Sequence, residues 1–220
     1  MLHLILADAE LELVPEELWN HPAVIKYSQR RNKKSKNLIL DSNFHHSAIR
    51  EIFPGEENRR GRPDIVHYFL LNSLESPLNL TNNLRVYIHT RNNQTIFIKK
   101  ETKIPKSYNR FIGLMEDLFH NGFVPSKREP LIWIEDMSLN KLINYLGIDD
   151  IVVLNDKGNI ENMQHFLSKD QILILGGFPS GDFISDVKNY KNVSIFKEPL
   201  ISWVVAYELI SNYEMKFSIL

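Results

Sequence analysis

Gln171-Ile172-Leu173-Ile174-Leu175, followed at once by Gly176-Gly177-Phe178-Pro179-Ser180-Gly181-Asp182, is a short apolar run that opens into a glycine-rich bend. A run of this length bounded by turn residues reads as a fully buried strand. Glycines at its end let the backbone turn sharply and approach a small ligand closely. The pattern recurs on both sides: Ile151-Val152-Val153-Leu154 runs into Asn155-Asp156-Lys157-Gly158, and Val193-Ser194-Ile195-Phe196 into Lys197-Glu198-Pro199-Leu200-Ile201-Ser202-Trp203. Three buried strands, each ending in a turn, predict an open parallel sheet with a pocket outside the carboxyl ends of the strands. Leu200 to Leu209 then suits a packed helix. Standing alone, a glycine loop of this kind is more often an ordinary turn than a cofactor loop.

Spacing decides which ligands such a loop excludes. Gly176 and Gly181 fit the two glycines of a phosphate loop, but Asp182 and Phe183 stand where that loop needs Lys and Ser or Thr. A dinucleotide fingerprint requires Gly-x-Gly-x-x-Gly early in a strand-helix-strand unit, whereas the order here is Gly-Gly-x-x-x-Gly near the C-terminus. ATP and NAD are therefore disfavoured.

Working outward, the pattern predicts a strand at 2–7, a helix after Pro15, a strand at 38–41, a helix from about Phe44 and another over 63–75. A hairpin follows, 84–90 with 94–99, turning at Asn92-Asn93. A helix from Pro105 to about His120 ends at Gly122, and strands at 131–135, 151–154, 171–175 and 193–196 alternate with helical segments. This is an α/β pattern with an inserted hairpin. The Gly122 to Pro130 stretch reads as a loop rather than a linker, so one domain over 1–220 is expected.

The 220 residues contain no cysteine, which excludes structural disulfides and thiolate metal sites. The first residues, Met1-Leu2-His3-Leu4-Ile5-Leu6-Ala7-Asp8-Ala9-Glu10, have no basic leader and read as a strand, not a signal peptide. No apolar stretch is long enough to span a membrane, because Glu208 interrupts the best candidate. A cytoplasmic protein with no membrane partner is expected.

A net charge of −1 argues against a protein that grips nucleic acid over its whole surface, but the cations are clustered. The clusters are Lys26 to Lys36, then Arg59, Arg60 and Arg62, then Lys99, Lys100, Lys103, Lys106 and Arg110. The second and third sit beside Pro63 and Pro105 at helix starts, where backbone donors and cations can meet a phosphate together. Asp64 reads either as a first-turn acid that suits the helix dipole, or pairs with Arg62, or as a functional carboxylate. His45, His46, His67 and His89 match no standard ligand spacing, so no metal is expected.

Several uncommon strings occur in one order: Arg62-Pro63-Asp64-Ile65-Val66-His67, Leu74-Glu75-Ser76-Pro77-Leu78-Asn79, Val86-Tyr87-Ile88-His89-Thr90, Ile104-Pro105-Lys106 to Arg110-Phe111-Ile112-Gly113-Leu114-Met115, and Gly176-Gly177-Phe178-Pro179. In these the chain resembles the ribosome-biogenesis pseudouridine N1-methyltransferases, the Nep/Emg family of the SPOUT superfamily, in an archaeal-type version. The resemblance implies an S-adenosylmethionine-dependent enzyme that methylates N1 of a pseudouridine in small-subunit ribosomal RNA. It further implies a C-terminal deep trefoil knot with cofactor-binding loops in 151–210, a mostly parallel SPOUT-type sheet flanked by helices, and a homodimer acting in ribosome assembly, with other assembly factors as partners.

By the same resemblance, Asp64 and Arg62 are the catalytic candidates. Leu175, Gly176, Gly177, Phe178, Gly181, Ile195, Leu200, Ile201 and Ser202 are the cofactor-binding ones, and Arg60, Arg62, Lys103, Lys106 and Arg110 contact RNA. Lysines at 103 and 106 depart from the arginines common in the family, keeping charge but losing bidentate geometry. Two other readings stay open: a noncatalytic RNA-binding assembly factor, and a SPOUT methyltransferase for another RNA nucleoside.

Overall fold

The computed structural model describes residues 1–219. Its strands are β1 (Leu2–Ala9), β2 (Leu84–Thr90), β3 (Gln94–Ile98), β4 (Phe123–Val124), β5 (Ile132–Asp136), β6 (Ile151–Ile160), β7 (Gln171–Gly176) and β8 (Lys191–Ser194). Its helices are α1 (Pro22–Arg31), α2 (Ser42–Ile52), α3 (Pro63–Leu74), α4 (Pro77–Leu80), α5 (Tyr108–Asn121), α6 (Leu139–Leu146), α7 (Met163–Phe166) and α8 (Ser202–Lys216). The strands form one sheet in the order β4-β5-β3-β2-β1-β7-β6-β8.

The sheet has two halves. From β2 through β1, β7 and β6 to β8 every neighbouring pair is parallel. From β2 through β3 and β5 to β4 every pair is antiparallel. Asn93, at φ 55°, supplies the left-handed turn between β2 and β3.

The central strands are apolar without alternation because both their faces are covered. Leu2, Leu4 and Leu6 of β1 and Leu173 and Leu175 of β7 face a core shared with α3, α5 and α8. Ile5, Ala7, Ile172 and Ile174 face the opposite core, against α6. A satellite core under α1 and α2 gathers Leu18, Val24, Leu38, Leu40 and Ile49.

Three expectations from the sequence change, the first being the helical segment between the last two strands: 177–190 holds only turns and bends between β7 and β8. The segment 38–41 is not a strand of the sheet: Ile39 forms one isolated antiparallel bridge with Leu13, and Asp41 already caps α2. Leu38 and Leu40 belong to the satellite core and Ile39 to the main one, rather than to a ladder. In addition, β6 does not turn at Asn155-Asp156-Lys157-Gly158 but runs on to Ile160, with a register shift against β8 between Leu154 and Asn159. Gly158 is needed there because a Cβ would meet the Val193 backbone at 2.8 Å. A glycine that signals a turn in sequence here marks close approach of two strands.

Candidate functional site

Since β1, β7, β6 and β8 are parallel, their carboxyl ends lie along one edge, and a cleft opens there. Leu175, Gly176, Phe178, Gly181, Ile195, Leu200 and Ser202 all line it. Ser202, in the first turn of α8, donates its hydroxyl to the Gly176 carbonyl and so ties the end of β7 to the helix that follows β8. Asn155, Asp156, Asp182, Ser194 and Glu198 add a polar, largely acidic rim that sequence reading missed. A readable signal existed, in that each lies in the glycine loop or within two residues of the end of a strand expected from the sequence at 151–154 or 193–196.

Gly177 and Ile201 are used differently. Gly177 N–H donates to the Ala7 carbonyl at 2.7 Å, and its own carbonyl accepts from Glu10 N–H at 3.0 Å. A Cβ at Gly177 would stand 2.5 Å from Ala9 Cα, so this glycine serves the approach of the loop to the end of β1. The Ile201 carbonyl accepts from Val204 and Val205 N–H at the start of α8, and its side chain is exposed.

The loop is further anchored by Asp8, buried at the end of β1. Its Oδ2 accepts from Ile184 N–H at 2.7 Å and Ser185 N–H at 2.9 Å, and its Oδ1 accepts from the Ser185 hydroxyl at 2.6 Å. Asp8 holds a left-handed φ of 51° at the point where the β1–β2 register shifts. Burial pushes its carboxyl up, but hydrogen bonds with His89 and Ser185 outweigh this and hold it below the usual carboxylate value.

The second group of candidates surrounds the start of α3. Arg62 is its N-cap, and Asp64 lies in the first turn, where the helix dipole favours negative charge. The two form a planar bidentate pair, Nε to Oδ1 at 2.8 Å and Nη2 to Oδ2 at 2.7 Å, partly open to solvent. The bond to Asp64 is the main cause raising the Arg62 guanidinium further above its usual value. Tyr108 and Asp41 stand beside this pair. The Tyr108 hydroxyl donates to Asp41 Oδ2 at 2.6 Å, and burial followed by the neighbouring Asp41 charge pushes the phenol well up. Asp41 is itself raised, first by burial, with Asp64 contributing.

Lys103, Lys106 and Arg110 are exposed around Pro105 and the start of α5. The His67 ring nitrogen Nε2, on α3, lies 2.8 Å from the Pro105 carbonyl and joins this segment to the Arg62–Asp64 helix. Arg60 faces inward instead. Its guanidinium grips buried Glu12, Nε to Oε1 at 2.6 Å and Nη2 to Oε2 at 3.0 Å, and lies over the Phe53 ring at 4.2 Å. Among the described residues no cluster of His, Cys, Asp and Glu is arranged to hold a metal.

A parallel sheet with a glycine-loop cleft at its carboxyl edge, and an arginine–carboxylate pair at a neighbouring helix start, is an arrangement suited to hold a small molecule close to a charged partner. Comparison with known proteins makes this specific. The family model described as EMG1/NEP1 methyltransferase matches residues 4–214, and the chain belongs to that family. It is 49% identical over 219 residues to the ribosomal RNA small subunit methyltransferase Nep1 of Thermococcus sibiricus, covering 97% of this chain and 98% of that one. It is 45% identical over 222 residues to the protein of the same name from Thermoplasma volcanium, covering 100% of both. Among solved structures, Archaeoglobus fulgidus Nep1 bound to S-adenosylhomocysteine superposes with a TM-score of 0.88 at 34% identity, over 98% of each chain.

Proposed function

We propose that this methyltransferase uses S-adenosylmethionine to methylate N1 of a pseudouridine in small-subunit ribosomal RNA, with the knot-loop cleft holding the donor and the Arg62–Asp64 pair facing the acceptor. The observation that carries the reading is that bidentate pair, partly open to solvent beside the exposed cations Lys103, Lys106 and Arg110. The full-length likeness to proteins named small subunit ribosomal RNA methyltransferases, and to one bound to S-adenosylhomocysteine, supports it.

The cleft suits the donor. It has apolar walls for a nucleobase in Leu175, Ile195 and Leu200, and a backbone turn at Gly176. Its rim carries Asp156 and Glu198, with Asp182 paired to Lys157, a favourable field for a ligand bearing sulfonium and ammonium charges. Leu175, Gly176, Phe178, Gly181, Ile195, Leu200 and Ser202 would hold it, with Gly177 and Ile201 shaping the backbone. When bound, S-adenosylmethionine supplies a methyl group already activated on sulfur.

What remains for the chain's own residues is to hold the acceptor in line and favour loss of its proton. Asp64, bonded to Arg62, still has lone pairs free to accept from N1–H of the base, orienting it and receiving or relaying the proton as the N1–C bond forms. Arg62, Lys103, Lys106 and Arg110 would neutralise backbone phosphates, and Tyr108 offers a ring edge beside the pair. Arg60, turned inward, would act by holding its loop rather than by touching RNA. We assign the whole chain to one α/β-knot domain with a deep trefoil knot through 151–210, working as a cytoplasmic homodimer during ribosome assembly. The exposed Tyr68, Ile201 and Tyr207 near the α3–α8 contact suit the dimer interface.

The test is methyl incorporation from labelled S-adenosylmethionine into two versions of one small-subunit hairpin, differing only in uridine or pseudouridine at the target. Transfer confined to the pseudouridine form is expected, and Asp64→Ala should lower it by about 10²–10⁴-fold while RNA affinity is kept. Transfer to both hairpins would point to another nucleoside, and full activity of the Asp64 variant would remove its role.

A further inference from the structure

The end of β1 joins the two candidate sites through one buried residue. Glu10 is fully buried, and four of its polar groups are engaged. Its N–H donates to the Gly177 carbonyl at 3.0 Å, and its carbonyl accepts from Arg62 N–H at 2.9 Å. Its carboxylate accepts from Arg59 Nε and Arg91 Nη1, each at 2.7 Å.

Arg59 completes the link. While Glu10 holds its Nε, its Nη1 donates to the Asp182 carbonyl at 2.6 Å, and its guanidinium lies 4.1 Å from the centroid of the Phe178 ring. Both contacts are on the glycine loop that borders the cleft. The Ser180 hydroxyl donates to the Asn58 carbonyl at 3.3 Å, a second stitch between the same two segments. Gly181, at φ 87°, leaves room for this packing, since a Cβ there would stand 3.0 Å from Arg59 Nη1. The loop over 178–182 is thus fixed by the segment that, three residues after Arg59, presents Arg62 and then Asp64.

We propose that Arg59, held by Glu10, is a positioning residue that couples the glycine loop to the Arg62–Asp64 pair, so that methyl donor and acceptor RNA bind cooperatively. This rests on the reading of the cleft as the donor site. The physical basis is that the loop and the α3 start share one rigid, doubly bonded connector. Ordering either by its ligand removes part of the ordering cost for the other, and linkage makes the effect reciprocal. A planar fork is required, because a single group must meet a carboxylate, a carbonyl and an aromatic face at once. Lysine keeps the charge beside Glu10 but offers no such plane.

The experiment is calorimetric titration of S-adenosylhomocysteine into the full chain, alone and with a saturating pseudouridine hairpin, for the wild type, Arg59→Lys and Phe178→Leu. Thermal melts check that each variant folds. In the wild type the RNA is expected to tighten S-adenosylhomocysteine binding by about fivefold or more, within the usual range of coupling between sites. Arg59→Lys should bring that factor close to one. Phe178→Leu, which leaves the Glu10 contact in place, should reduce it partially. A wild type that binds both ligands independently, or an Arg59→Lys protein with undiminished coupling, overturns the proposal while leaving the donor site standing. A wild type that binds no S-adenosylhomocysteine overturns the donor-site reading and the coupling with it.

Discussion

Arg59-Arg60-Gly61-Arg62 holds three arginines within four residues, yet they do opposite things. Arg59 and Arg60 turn in and neutralise Glu10 and Glu12, carboxylates left nearly without solvent at the end of β1. Arg62 turns toward the surface and makes its pair with Asp64 there. The separation has a mechanical cause. Gly61 takes a left-handed φ of 70° and packs where a Cβ would press on Ser42 N and the Leu40 side chain, so the chain reverses between Arg60 and Arg62. A charge cluster in sequence is therefore two populations: cations that complete a core and cations available to a polyanion. Lys103, Lys106 and Arg110 belong to the second; Arg31, which meets buried Glu116 together with the more exposed Lys33, belongs to the first.

The comparison is tested most severely on the inward side. Glu12→Gln leaves the nearly buried Arg60 guanidinium with only the more distant Glu56 carboxylate, 3.6 Å away, and a loss of up to about 3–5 kcal/mol of stability is expected in denaturant unfolding, as for other broken buried pairs. A loss below about 1 kcal/mol, the range of exposed pairs, would place Arg60 with the outward population.

A smaller but sharper contrast concerns acid. Burial lowers the His45 imidazole to about 4, and the same cause, reinforced by the N-terminal amine and Arg85, lowers His3 to about 4. A histidine whose folded value lies below its unfolded one stabilises fully above pH 6.5 and loses that contribution as pH falls toward 4. Stability should therefore decline across pH 6.5 to 4, by up to about 3 kcal/mol for fully buried His45 and by less for partly exposed His3. Replacing His45 by Gln should flatten the profile in that window. An unchanged slope would mean that His45 is already solvated.

The outward side predicts effects on binding alone. Arg110→Ala should weaken affinity for the RNA hairpin and reduce the slope of log K against log salt by about one, with the melting temperature unchanged. Arg60→Ala should do the reverse, lowering the melting temperature while leaving the salt slope of the protein that remains folded unaltered. Equal salt effects from the two would erase the distinction.

Much of the fold is legible in the sequence because it follows from local rules. The non-alternating apolar run at 171–175 could be buried on both faces only inside a helix-covered parallel sheet, and that is where β7 lies. Pro63, Ser138, Asn93 and Gly122 punctuate the chain as their backbone preferences require. The cleft residues are legible for the same reason, since the carboxyl ends of parallel strands must gather at one edge. At two of the three places where the reading departs from the structure, 38–41 and Asn155 to Gly158, the competing cause is tertiary: a satellite core claims one segment, and close approach of β6 and β8 claims the glycine of the other.

The sequence by itself determined the layer arrangement, the position of the glycine loop and the clustering of positive charge, because periodicity and turn chemistry are properties of neighbours along the chain. Only the tertiary structure decided which arginines face inward. The carboxylates that claim Arg59 and Arg60 stand at the end of β1, about fifty residues earlier, and the energy of a charge depends on the partner and solvent that folding brings to it.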